Sequence, residues 1–180
     1  PRVKETIIKF LENSETILRL YPEPESDSLR EVIAKKFAIE SDQVFIGNGS
    51  DEVLSLCFLA FFAGRGCLSF PELTYSFYPS IATLFKVPFS TFQLKKDFSL
   101  DLTNINPDSE SVIFPNPNAI TGIALSIDVI DQFVKENPDK LIIIDEAYAD
   151  FSKGSCVSLI NNYSNILVIQ TFSKSRGMAG

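Results

Sequence analysis

The sequence predicts an α/β protein of three layers, α/β/α, built on a mostly parallel sheet. Strand-length apolar runs alternate along the chain with stretches whose apolar residues recur at helical spacing. Two of the runs, Leu141–Ile144 and Ile166–Ile169, are apolar without interruption, as strands covered on both faces are. Strands separated by helices pair in parallel, with the helices packed on both sides of the sheet. The chain has 180 residues, 45% of them hydrophobic and 22% charged, the mixture of a soluble domain with a sizeable core.

The elements follow in order. Val3, Ile7, Ile8 and Leu11 mark an amphipathic helix. Thr16–Tyr21 is apolar and extended in character, and Pro22 and Pro24 force an irregular segment. Asp27 or Ser28 is placed to cap a helix carrying Leu29, Val32, Ile33 and Phe37 on one face. Val44–Ile46 reads as a strand running into Gly47-Asn48-Gly49-Ser50, with a helix through Leu54, Leu56 and Phe58 behind it. Gly64 and Gly66 punctuate, and Cys67–Phe70 is a strand. Pro71 opens a loop into Tyr75–Leu84, and the Phe-rich stretch Phe85–Leu94 is extended. Ser111–Phe114 is a strand ending in Pro115-Asn116-Pro117-Asn118, and a helix covers about Ser126 to Val134 before the two buried strands. Residues 1–20 are expected to form an N-terminal helix and connector, and residues 21–180 one ligand-binding domain.

Composition excludes several chemistries. Sixteen basic residues against 23 acidic ones leave a formal charge of −7, which argues against a nucleic-acid or anionic-membrane surface. No apolar run reaches the roughly 18 residues of a spanning helix, and no charged segment precedes an apolar one at Pro1. A soluble, cytoplasmic protein is expected. Without histidine, the Ser/His/Asp and Cys/His hydrolase arrangements and any His-ligated metal are unavailable. Cys57, Cys67 and Cys156 are scattered and odd in number, which fits a reducing compartment and no disulfide framework or zinc ribbon. The first residue is Pro1, so the chain is expected to begin downstream of a natural start.

In parallel sheets, ligands bind beyond the carboxyl ends of the strands. The polar residues just past each apolar run are Gly49-Ser50-Asp51, Asn118, Asp145 with Tyr148, and Ser173-Lys174. Gly47-Asn48-Gly49-Ser50 alone reads as a tight turn with Ser50 as cap. Above a sheet, the same turn aims first-turn amides at an anion. Leu141–Glu146 superficially resembles the magnesium-binding strand of a P-loop ATPase, but no GxxxxGK[ST] occurs anywhere in the chain. Lys174 lies among the hydroxyls of Thr171, Ser173 and Ser175, where a partly desolvated amine is a usable nucleophile. A phosphate cradle, a strand-end acid, a nearby phenol and a lysine together form the set that pyridoxal phosphate requires.

At these residues the sequence resembles the fold-type I pyridoxal-phosphate aminotransferases, most closely the histidinol-phosphate aminotransferases. The matching segments are Tyr21-Pro22-Glu23-Pro24 with Leu29-Arg30, Gly47 to Glu52, Pro71 with Thr74-Tyr75, Asn116-Pro117-Asn118 with Thr121-Gly122, Asp145 to Tyr148, and Thr171 to Lys174. They run in order through nearly the whole chain. The resemblance implies that residues 21–180 belong to the large cofactor-binding domain, and that Lys174 links covalently to the cofactor and later moves the substrate proton. It implies that Asp145 pairs with the pyridine nitrogen, that Tyr148 donates to O3′, and that Tyr75 stacks on the ring. The Ser50 and Asp51 amides and the Thr171 and Ser173 hydroxyls would hold the phosphate. The residue matching Tyr21 reaches the phosphate of a neighbouring subunit in the family, which implies a homodimer. An amino donor and a 2-oxo acid are the implied partners, namely histidinol phosphate and 2-oxoglutarate, in histidine biosynthesis.

The sequence departs from the family in two ways. Where the family loop reads Asn-Pro-x-Asn-Pro-Thr-Gly, this chain has Ala119 and Ile120 in place of the second asparagine and proline. Asn118 is the candidate to replace the lost contact. The resemblance also implies that these residues cover about half of a family member, and that the downstream arginines and the small C-terminal domain of the family are expected outside them. The competing readings are a phospho-amino-acid decarboxylase or another amino-acid aminotransferase of the same chemistry, and a non-catalytic remnant of the fold.

Overall fold

The computed structural model describes residues 2–12 and 19–179. The chain divides into two compact units, residues 1–46 and 47–180, a later boundary than the 20/21 division read from the sequence. Residues 16–18 of the expected extended stretch lie outside the described residues.

In the first unit, helix α1 (Arg2–Glu12) buries none of its residues, and Val3, Ile7, Ile8 and Leu11 stay exposed along one stripe. Helix α2 (Asp27–Phe37) is capped by neither Asp27 nor Ser28. Its cap position is Ser26, in the left-handed region, and the Glu23 carboxylate accepts from Ser28 N at 3.1 Å and Ser28 Oγ at 2.7 Å. A carboxylate satisfies first-turn donors as a cap does, and it also complements the positive end of the helix. Val44–Ile46, expected as a strand, pairs with nothing among the described residues, although Val44 has extended dihedrals. Extended backbone becomes a strand only where a neighbour supplies the ladder, which local sequence does not report.

The second unit holds the sheet. Helix α3 (Gly49–Cys57) runs into a π-turn, Phe58–Phe62. Strand β1 (Leu68–Pro71), helix α4 (Phe77–Leu84) and strand β2 (Phe89–Phe92) follow. Then come β3 (Ser111–Pro115), α5 (Ile127–Glu136), β4 (Leu141–Asp145) and β5 (Ile166–Ile169). All strand pairs are parallel, in the order β2-β1-β3-β4-β5. The β1-to-β2 and β3-to-β4 connections move in opposite directions across the sheet, so right-handed crossovers place α4 and α5 on opposite faces.

The core divides accordingly. Ile113, Ile143 and Ile169 pack with Leu54 of α3, Phe58 of the π-turn, and Tyr78 and Ile81 of α4. Val112, Phe114, Ile142 and Ile144 pack with Ile130 and Val134 of α5. Alternate residues of a strand point to opposite faces, so β4 must be apolar at every central position to serve both layers. Each of these fully buried isoleucines stabilises the fold by about 1.5–3 kcal/mol. Ser126 caps α5 by accepting from Val129 N at 3.4 Å, and the buried Ile130 and Val134 lie one turn apart on its inner face. The architecture is the three-layer fold expected. Among the described residues no helix is long and apolar enough to cross a membrane.

Candidate active site

Parallel strands deliver their carboxyl ends to one rim, and a cleft of about 230 Å³ opens there. Ser50, Asp51, Tyr75, Asp145, Tyr148, Ser173 and Lys174 all line it, together with Ala119. These positions span more than 120 residues of sequence, and only the sheet brings them together.

At one end is the start of α3. Gly49 has φ +80°, a conformation that favours glycine, and a Cβ there would lie 3.9 Å from Ser173 Oγ. Asn48 gives no side-chain cap. The first-turn amides of Ser50 and Asp51 have no intrahelical acceptors, as at any helix start. Across from them, Ser173 Oγ accepts from Thr171 Oγ1 at 2.9 Å, and Ser173 N donates to Thr171 Oγ1 at 3.2 Å. Amides, hydroxyls and the helix dipole favour an anion here.

At the other end Asp145 closes β4, 4% exposed. Its Oδ2 accepts from the Tyr78 hydroxyl at 2.7 Å and its Oδ1 from Ala147 N at 3.0 Å. Burial pushes the Asp145 carboxyl above its ordinary range. The Tyr78 and Ala147 hydrogen bonds oppose that rise, the Asp51 charge adds to it, and the Lys174 charge reduces it. A cation placed against this carboxylate would relieve the desolvation that drives the shift. Between the two ends, Lys174 Nζ lies 5.6 Å from the centroid of the Tyr148 ring, and no salt bridge to Lys174 occurs among the described residues. Tyr75 donates to both carboxylate oxygens of Asp51, at 3.2 and 3.3 Å. Partial burial and then the Asp51 charge hold its phenol above the usual value.

Three expected site residues do not line the cleft. Thr171 is buried behind Ser173, which it orients. Asn118 is 1% exposed, and its side chain holds backbone instead: Nδ2 donates to Leu73 O at 2.9 Å and Oδ1 accepts from Ile120 N at 3.0 Å. The first bond anchors the segment leading to Tyr75, the second closes the turn after Asn118, and Ala119 takes the cleft position. Tyr21 is 99% exposed in the first unit. The sequence reading assigned no role to Tyr78. Its position three residues after Tyr75, at a helix start, was the available signal.

The donor set fits pyridoxal phosphate, with anion-binding amides and hydroxyls at one end, a buried carboxylate for a ring cation at the other, and an amine between them. A three-layer parallel fold with this rim defines the class: the chain belongs to the aminotransferase class I and II family, whose sequence profile matches residues 1–180. It is 47% identical over 175 residues to the histidinol-phosphate aminotransferase of Clostridium botulinum (strain Hall), covering 97% of this chain and 49% of that protein. It is 46% identical over 180 residues to the histidinol-phosphate aminotransferase of Acinetobacter baumannii (strain AYE), covering 50% of that protein. The chain thus spans about half the length of the curated relatives it matches. Among solved structures, the histidinol-phosphate aminotransferase of Sinorhizobium meliloti in complex with pyridoxal-5'-phosphate shares the fold, with TM-score 0.84 at 21% identity over 97% of this chain and 50% of that one. The L-threonine-O-3-phosphate decarboxylase of Porphyromonas gingivalis does so with TM-score 0.84 at 19% identity, over 98% and 56%.

Proposed function

We propose that this chain is the cofactor-binding half of a pyridoxal-phosphate-dependent aminotransferase that moves an amino group from histidinol phosphate to 2-oxoglutarate. The observation that carries the reading is the convergence on one cleft of a buried carboxylate, a lysine without an ion pair among the described residues and a helix start without a side-chain cap. When bound, the cofactor supplies an aldehyde that condenses with amines and a protonated ring that withdraws electrons from the carbon being deprotonated.

This chain's residues then have defined tasks. The Ser50 and Asp51 amides and the Ser173 hydroxyl bind the phosphate, with Thr171 orienting Ser173. Asp145 would hold the proton on the ring nitrogen, a charge pair in a low-dielectric site. Lys174 Nζ would anchor the group covalently and, as a free amine, would take the proton from the substrate Cα. Tyr148 would donate a hydrogen bond to the ring oxygen O3′, and Tyr75 would cover the ring face and exclude water.

The choice of donor rests on relatives 46–47% identical that carry the name. The same reading makes the protein a cytoplasmic homodimer of histidine biosynthesis, in which the exposed Tyr21 of one subunit reaches the phosphate held by the other.

The test is the visible spectrum of the protein with added pyridoxal phosphate, followed by borohydride reduction and peptide mapping. A yellow species whose reduced adduct maps to Lys174 is expected. Lys174→Ala should lose the adduct while retaining weaker, reversible binding. An adduct at full occupancy on another lysine would overturn the assignment.

A further inference from the structure

We propose that Tyr78 is the positioning residue for Asp145: its phenol, reaching out of α4 through the core, sets the direction in which that carboxylate meets the cleft. The inference rests on the reading of the cleft as a pyridoxal-phosphate site and goes beyond it to a residue that does not line the cleft.

Tyr78 is fully buried in the apolar layer between α4 and the sheet, with its ring edge-on to Phe70 at 6.0 Å. Phenylalanine would fill that volume equally well, so packing does not account for the oxygen. The hydroxyl is directed to Asp145 Oδ2 at 2.7 Å, across 67 residues of sequence. Ala147 N takes Oδ1 from the chain beyond β4 at 3.0 Å. Two donors from different elements fix the two torsions of one short side chain. The lone pairs left over then face the cleft that Asp145 lines.

Other groups also act on this carboxylate. Asp51 at the start of α3 repels it and Lys174 beyond β5 attracts it. The phenols of Tyr75 and Tyr148 stand at the same cleft. All of those groups line the cleft and are exposed to whatever fills it. Tyr78 holds Asp145 from the protected side, where solvent and salt screen little.

The experiment compares the full chain with Tyr78→Phe, using 13C-labelled aspartate and assigning Asp145 by its loss in Asp145→Asn. Without cofactor, the protonation midpoint of Asp145 should rise by about one unit, a tenfold change in the ionisation equilibrium. In parallel, Tyr78→Phe should weaken pyridoxal phosphate about tenfold. It should leave unchanged the affinity of a deaza analogue in which C–H replaces the ring nitrogen. An unmoved midpoint, or equal losses for both ligands, would show that Tyr78 only fills the core. If neither protein binds pyridoxal phosphate, the cofactor reading fails, and the midpoint alone decides the role of Tyr78. Should Tyr78→Phe not fold, 3-fluorotyrosine at position 78 keeps a more acidic hydroxyl. The midpoint must then fall, and a midpoint that stays put again overturns the proposal.

Discussion

Gln170 Nε2 donates to Glu146 Oε2 at 2.8 Å and so ties the exit of β5 to the exit of β4. The same carboxylate accepts from Ser155 Oγ at 2.5 Å and, through Oε1, from Cys156 N at 2.6 Å. Four residues after Gln170 comes Lys174. Beyond it, Arg176 Nε and Nη2 donate to Asp150 at 3.0 and 3.1 Å, and Ser175 Oγ donates to the same carboxylate. Two acids from the segment after β4 thus hold the lysine turn on both flanks.

Glu146→Ala should therefore destabilise the protein. Glu146 is 3% exposed, and its removal leaves the buried Cys156 N–H without its acceptor, while Gln170 keeps its hydrogen bond to Ser155 Oγ at 3.1 Å. At about 1–3 kcal/mol for one buried unsatisfied group, the expected loss is about 1–3 kcal/mol by urea denaturation. Glu146→Gln keeps one acceptor oxygen and should lose less. Equal stability of wild type and Glu146→Ala would mean that this carboxylate holds nothing together.

Asp145 predicts an inverse relation between stability and pH. Because burial raises its pKa, the folded protein binds more protons than the unfolded chain between the ordinary and the raised value. Stability contributed by this group is thus greatest below that window and falls as pH rises through it. Above that window, with no cofactor bound, the ionised Asp145 is a net cost. Asp145→Asn should raise the urea midpoint above the window, and the gain should vanish once acid protonates the wild-type carboxyl. A variant less stable than wild type at every pH would contradict this.

Ala119 lines the cleft where the family places asparagine, and Asn118 is held on Leu73 O. Ala119→Asn should add an amide donor at the cleft wall without disturbing that anchor. Affinity for pyridoxal phosphate, read by titration of its absorbance, is expected to rise up to about tenfold, the value of one added hydrogen bond of ~1.4 kcal/mol. Unchanged affinity would mean that residue 119 does not reach the cofactor.

The cysteines should differ in reactivity. Cys57 and Cys156 are buried, and burial pushes the Cys57 thiol up to about 11 and Cys156 further still, with Glu146 adding to the latter. Cys67 is only partly buried. Native alkylation at neutral pH, followed by mass spectrometry, should modify Cys67 first. Faster labelling of Cys156 would indicate local opening around Glu146.

Most of the rim was legible because parallel topology turns sequence position into spatial position. Ser50 and Asp51 open the helix after the glycine turn, and Asp145, Tyr148, Ser173 and Lys174 each follow an apolar run by a few residues. Every parallel strand points its carboxyl end the same way, so the pattern of runs marks the residues that meet. The uninterrupted apolarity of Leu141–Ile144 likewise announced burial on both faces, which the two core layers display.

The partners of those residues were not legible, because hydrophobic period reports how deeply a position is buried and not what faces it. Tyr78 reaches Asp145, Tyr75 reaches Asp51, and Gln170 reaches Glu146 across separate elements whose packing no local pattern encodes. Asn118 and Ala119 are adjacent in the chain, yet the loop turns one onto Leu73 and the other to the cleft. Val44–Ile46 has the composition of a strand and no ladder among the described residues, because pairing belongs to two segments at once. Residue type and order settled which groups stand at the rim. Long-range packing of α4 and of the turns after β4 and β5 settled their directions, since a side chain's orientation follows from the donors and walls around it.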